Sequence, residues 1–135
     1  ADVTLGRVSL IAGVRVDHWQ LSGGKLIERP LAGGPALTDA RFPDRSGWEP
    51  TARLGLSWRA ASAVTLRAAA YRGWRLPTLN ELYRPFRLGL DATAANAGLE
   101  PERLDGIEAG IAVHPVPALR LSATLFHNRL SSAIA

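Results

Sequence analysis

His18, His114 and His127 are the only imidazoles in the chain, and wide intervals separate them. A zinc site needs ligands at i, i+4 or short-loop spacing, which these three lack. His18 follows Asp17, but successive residues of a strand point to opposite faces, so the two form no ready dyad. A structural place at a strand end is the expectation for each. The pairs Gly23-Gly24 and Gly33-Gly34 lack the strand-to-helix setting of a phosphate loop. Glu100 and Glu102 could be paired on paper for glycosidic chemistry, but nothing around them supports it. Cysteine is absent, which excludes disulfides and thiolate metal sites. What remains is recognition. Arg72, Arg75, Arg84 and Arg87 share one stretch with Trp74, Tyr83 and Phe86. Guanidinium forks suit carboxylate or catecholate oxygens, and the rings suit stacking. The expectation is therefore no enzyme, no metal site and no cofactor.

The elements that must position these groups are strands. In Arg7 to Asp17, Val8, Leu10, Ala12, Val14 and Val16 alternate with residues that are polar or small, except Ile11. Ala52, Leu54, Leu56 and Trp58 alternate with Arg53, Gly55, Ser57 and Arg59. The same period of two runs through Val64 to Tyr71, Ile107 to His114 and Leu119 to Phe126. It places the two sets on opposite faces of a ribbon. The pattern predicts an all-β antiparallel meander of about five strands, near 3–19, 50–59, 63–75, 102–114 and 118–130. One domain, 1–135, is all that this length allows.

Connections alternate in length as well. Arg59 to Ala63 and His114 to Ala118 are short, the second stiffened by Pro115 and Pro117. Gln20 to Glu49 and Leu76 to Pro101 are long and rich in Gly, Pro, Asp and Arg. Short turns on one rim and long loops on the other are the plan of a transmembrane barrel, with the long loops outside. No apolar run approaches the ~18 residues of a membrane-spanning helix, so strands are the remaining membrane option. A soluble sandwich also alternates, so alternation alone does not decide. Arg7, Arg15, Arg53, Arg67 and Arg120 recur on the polar face, as a wet lumen would allow. Trp19, Trp48, Trp58 and Trp74 stand near strand ends, either as interfacial girdles or as lids over those ends.

The net charge of +4 comes from 15 arginines and one lysine against 12 acids. The arginines are scattered along the strands and form no single patch, which weakens a nucleic-acid reading. The chain starts Ala-Asp-Val-Thr already in strand pattern, and the expectation is an internal piece of a longer protein.

Two phrases stand in order across the second long connection. The first is Trp74, Arg75, Leu76, Pro77, Thr78, Leu79, Asn80, Glu81, Leu82, Tyr83; the second is Asn96, Ala97, Gly98, Leu99, Glu100, Pro101, Glu102. Leu76-Pro77 demands extended backbone before the proline, and Thr78 can cap a short turn at Leu79 to Tyr83 with Glu81 in its first turn. The pair of phrases resembles the TonB-dependent outer-membrane receptors, which carry an "FRxPTLxELY"-like strand end, a loop, then an "NPxLxPE"-like start to the next strand. Trp74 departs from the usual Phe, and Ala97 from a common Pro.

The resemblance implies a 22-stranded barrel of which this chain is roughly a quarter of the wall, with the N-terminal plug absent from it. It implies a Gram-negative outer-membrane location and uptake of a scarce ligand, such as a ferric siderophore, haem or cobalamin. Implied partners are outer-membrane lipid, the extracellular metal chelate or cobalamin, and TonB through the absent plug, with no nucleic acid. Architecture is the expected role of Trp74, Arg75, Pro77, Thr78, Glu81, Leu82, Tyr83, Asn96, Glu100, Pro101 and Glu102. Glu102 is expected to pair with Arg75 across the base of the loop. Candidate ligand contacts are Trp48, Arg75, Tyr83, Arg84 and Arg87. The competing reading is a soluble basic β-barrel holding single-stranded nucleic acid on Trp and Arg. It accounts for the charge but leaves the paired phrases without a role.

Overall fold

The first predicted strand is two strands. Leu5 and Val8 pair across a two-residue turn at Gly6 and Arg7, and Gly6 takes a φ of +60° that a residue with Cβ rarely adopts. β1 (Asp2–Leu5) and β2 (Val8–Leu21) form this hairpin, so the expected single strand 3–19 is corrected. Arg7 lies in the turn, not mid-strand on the polar face. The computed structural model describes residues 1–88, 91–93 and 95–134, and for 86–88 and 91–93 the backbone alone.

β2 is followed by a small hairpin, β3 (Lys25–Glu28) with β4 (Thr38–Arg41), inside the first long connection. Then come β5 (Arg45–Ala61), β6 (Val64–Arg75), the short helix α1 (Leu79–Tyr83), and a second small pair, β7 (Phe86–Leu88) with β8 (Asp91–Thr93). β9 (Glu102–Val116) and β10 (Leu119–Ser131) end the chain. The main sheet is wholly antiparallel and has six strands in the order β1-β2-β5-β6-β9-β10, one more than expected. Among the described residues no helix is long and apolar enough to cross a membrane.

The ladders join the two sets of residues into two sheet faces. One row runs Val8, Trp58, Leu66, Ile111, Ala123, and the next same-face row runs Leu10, Leu56, Ala68, Ala109, Leu125. The opposite face carries Ser9, Ser57, Arg67, Gly110 and Thr124 in one row and Arg53, Tyr71, Gly106 and Asn128 in another. Little is buried on either side. Val14 is 87% exposed and Leu125 81%, and among the described residues the buried hydrophobic side chains are Leu82 and Ala112. A six-stranded sheet of this length has no core of its own.

The short turns step along the ladder. Measured from the Val8–Trp58–Ile111 row, the β1–β2 turn lies one residue below, at Arg7. The β5–β6 turn lies four below, at Ser62, and the β9–β10 turn six below, at Pro117. A steady stagger of this kind means strands tilted against the line of their turns, the geometry of a barrel wall. On β5, Trp48 and Trp58 stand ten residues apart on the apolar face. At ~3.3 Å per residue and a tilt near 40°, that spacing spans about 25 Å of height. Pro115 sits inside β9 where the β9–β10 register shifts, the kind of irregularity that tolerates a missing N–H.

On the polar face, large side chains lie over glycines of the next strand. A Cβ at Gly106 would stand 2.2 Å from the Tyr71 ring, whose hydroxyl donates to Asn128 at 3.0 Å. Trp19 covers Gly47 in the same way. Gly106→Ala should therefore cost about 1–3 kcal/mol in a reversible folding measurement, because the ring has to leave. Gly73→Ala, where nothing lies within 4 Å, should be near neutral.

Candidate functional site at the loop rim

β6 ends at Arg75, just before Leu76-Pro77, where Pro77 has no N–H to give to a ladder. Thr78 takes the N-cap of α1 at φ −72°, ψ 159°, and its hydroxyl accepts the Glu81 N–H at 3.3 Å. The Glu81 carboxylate reaches back to the Thr78 N–H at 2.6 Å, closing a capping box. Helix and cap thus fold from the Thr-x-x-Glu spacing itself.

Arg75 ties this turn to the next strand. Its Nε donates to Glu102 at 2.6 Å, while Nη1 and Nη2 reach the Glu81 carboxylate at 3.2 and 3.3 Å. Arg75 and Glu102 are opposite each other in the β6–β9 ladder, so the expected pair forms where the loop leaves and rejoins the sheet. The other Glu102 oxygen accepts the Ile134 N–H at 2.6 Å. Hydrogen bonds to Thr78 N–H first, then to Arg75, hold Glu81 below the usual carboxylate range. Arg75 first, then the Ile134 N–H, does the same for Glu102. The guanidinium between them is pushed above its ordinary value, chiefly by Glu102 and then by Glu81.

The second phrase docks on the first. Asn96 donates its N–H to the Glu81 carbonyl at 3.0 Å, and its side-chain oxygen accepts the Gly98 N–H at 2.9 Å. Arg45, at the start of β5, donates to the Ala97 carbonyl at 2.6 Å. Tyr83 stacks on Phe42 with centroids 4.5 Å apart and lies against Gly24, linking α1 to the first long connection. Six described residues are buried: Glu49, Pro77, Leu82, Pro101, Gly106 and Ala112. Three of them belong to the two phrases, and Leu82 is only 1% exposed. Half of the buried described residues thus lie at this loop base.

A second knot lies beside it. The β5–β6 ladder ends at Ala52↔Arg72, next to Pro50, while β2–β5 and β6–β9 continue outward. There Arg103 donates to Glu49, with Nε at 2.8 Å, and Trp74 Nε1 donates to Asp17 at 3.0 Å. Glu49 is 4% exposed. Sequence reasoning missed Asp17, Glu49, Arg103, Arg45 and Phe42 as partners. The available signal was Pro50, which cannot donate in a central strand.

The structure gathers Arg75, Tyr83 and Arg84 at α1 and its flanks, with the Arg84 side chain exposed. Trp48 is instead on the apolar face, beside His18 at 4.6 Å between centroids. The Arg87 side chain lies outside the described residues. Glu100 is exposed just before buried Pro101, and no cluster of three His, Asp or Glu among the described residues could hold a metal.

Since Arg75 faces two carboxylates, exchanging charges as Arg75→Glu with Glu102→Arg should restore folding only in part. The carboxylate introduced at 75 would face Glu81. Heat-modifiable gel mobility of the complete protein should rank wild type first, then the exchange, then Arg75→Glu alone. Thr78→Ala should cost about 1 kcal/mol of local stability, read as faster amide exchange at Glu81 and Leu82. Because both Glu81 and Glu102 have lowered folded values, their contribution is complete above the ordinary 4.5 and fades as pH falls through the depressed values. Carboxyl-carbon NMR titration should place both midpoints below 4.5.

A family model described as TonB dependent receptor-like, beta-barrel, matches residues 1–135. The fold is similar to the Serratia marcescens hemophore receptor HasR, solved as a double mutant with its hemophore HasA and heme. TM-score is 0.65 at 21% identity, covering 93% of this chain and 23% of that one. It is also similar to the copper transporter OprC, with TM-score 0.68 and 21% identity, over 93% of this chain and 19% of that one. The chain thus spans about a fifth to a quarter of the length of these two proteins. No curated protein matches it.

Proposed function

The chain belongs to the TonB dependent receptor-like β-barrel family, and on that premise we propose that it forms about a quarter of the wall and part of the outer mouth of a Gram-negative outer-membrane uptake receptor. The observation that carries this reading is the bare apolar face of the sheet, ~25 Å tall between Trp48 and Trp58, with no described layer packed on it. In water such a face, with both sheet edges open, would associate. In a bilayer it meets acyl chains, and further strands of a 22-stranded barrel pair with β1 and β10. A plug domain ahead of this segment would fill the lumen and meet TonB.

The cargo is a scarce ligand too large for porins, in the class of ferric siderophores, haem or cobalamin. HasR is named for its hemophore and OprC for copper, so metal-bearing cargo suits the family resemblance. Within the mouth, Arg75 and Tyr83 build the loop base, and Arg84 and Arg87 are the proposed contacts for anionic oxygens of the ligand. Trp48 serves as an interfacial anchor. Bond-making chemistry has no part in the proposal.

The complete gene product should partition into detergent and run faster on a gel unheated than boiled. Water-soluble behaviour with salt-sensitive retention on single-stranded DNA would overturn the reading. Arg84→Ala with Arg87→Ala should weaken uptake of an anionic chelate at least several-fold while leaving heat-modifiable mobility intact.

A further inference from the structure

The apolar face does not stay apolar to its outer end. One same-face row runs Ala52, Arg72, Asp105, Arg129 across four strands. Arg72 grips Asp105 with Nε and Nη2 at 2.6 and 3.0 Å. Arg129 stands opposite Asp105 from the other side, where cross-strand neighbours approach within ~5 Å at Cβ. The row thus sets two guanidinium groups against one carboxylate, which Arg72 holds, and it keeps a net positive charge. The Arg72 side chain remains half exposed.

Pairing and outward reach explain how such a row can be tolerated. Arg129 lies twelve residues beyond the Pro117 turn, and so does Asp105 counted down β9. At ~3.3 Å per residue and a tilt near 40°, this is about 30 Å above the short turns. Counted the same way from the Ser62 turn, Trp48 stands at about 35 Å and Arg72 at about 25 Å. The row thus lies ~5–10 Å inside the outer aromatic end of the band. A lone lipid-facing charge costs ~2–4 kcal/mol at the midplane and about 0–1 at the interface. Asp105 neutralises the deeper Arg72, and the long stem of Arg129 reaches outward. Just below lies an open depression of about 740 Å³ on the same face. Its floor is small, at Ala12, Ala52 and Ala70, and its sides are Val14, Leu54 and Ile107. Arg72 and Arg129 stand on its outer rim, and His127 lies opposite Ile107.

We propose that this is a binding site for a single phosphate-bearing lipid of the outer leaflet. An acyl chain fills the alanine-floored depression, and a phosphate takes the forks of Arg129 and Arg72 that Asp105 leaves free. The assignment rests on the outer-membrane reading and adds a ligand on the opposite face from any cargo.

The test uses the complete receptor in detergent, titrated with bisphosphorylated lipid A, with phosphatidylcholine, and with inorganic phosphate alone, and read by native mass spectrometry. Wild type should retain one lipid A per barrel. Arg129→Gln, which leaves the Arg72–Asp105 pair intact, should weaken retention about five- to tenfold. Arg120→Gln, on the polar face, should leave it unchanged. Equal retention by wild type and Arg129→Gln in a barrel of normal heat-modifiable mobility overturns this site alone. So does saturation by inorganic phosphate alone, which would mark a simple anion site. A protein that never acquires that mobility in any lipid overturns the receptor reading and this site with it.

Discussion

Every backbone N–H and C=O in a hydrocarbon layer has to find its partner inside the protein, since the solvent there offers none. That constraint organises the chain. Long antiparallel ladders run β1-β2-β5-β6-β9-β10, and the irregularities collect near the rims. Pro115 falls at the register shift beside the β9–β10 turn, and Pro50 where the β5–β6 ladder ends at the loop rim. Between those rims the side chains have only to suit their surroundings, apolar outside and polar inside. On the outer-membrane reading, stability comes from backbone pairing and from the lipid, so that a chain whose described residues bury two hydrophobic side chains can still be an ordered wall.

The loop rim obeys different physics. In water, polar contacts are individually modest, and a 26-residue connection costs entropy to order. Here the connection is fixed at its base by several short-range devices acting together. Arg75 binds the carboxylates of Glu81 and Glu102, Thr78 and Glu81 close the helix cap, and Asn96 and Ala97 dock on α1 and Arg45. Tyr83 on Phe42 joins this base to the other long connection. The strands below thereby keep their register whatever the length of the loop.

Much of this was legible in the order of residues, and the misses have physical causes. Alternation assigned the two faces, since a period of two cannot be satisfied any other way in a ribbon. The capping box is local, four residues long, and could be read from Thr78 and Glu81. The Arg75–Glu102 pair needed only that the two phrases be strand ends facing each other. Gly6 marks a break in the period: Val3 and Leu5 are odd-numbered and Val8 and Leu10 even-numbered. The two-residue turn at Gly6 and Arg7 brings both sets onto one face by setting Leu5 opposite Val8 and Val3 opposite Leu10. Glu49 with Arg103 and Asp17 with Trp74 lie more than fifty residues apart and depend on where two ladders part. No local pattern carries that. Phe42 beneath Tyr83 is equally non-local.

The account stands on which face meets lipid. This chain has no cysteine, so single spin labels can be placed along β5 from Pro50 to Trp58, in the complete protein freed of any cysteine elsewhere and reconstituted in bilayers. Labels at Ala52, Leu54, Leu56 and Trp58 should collide with dissolved oxygen and be shielded from a water-soluble nickel chelate. Those at Thr51, Arg53, Gly55 and Ser57 should show the reverse, giving a two-residue oscillation. Loss of that oscillation, or even-numbered sites shielded from both quenchers as in a packed protein interior, would contradict the account.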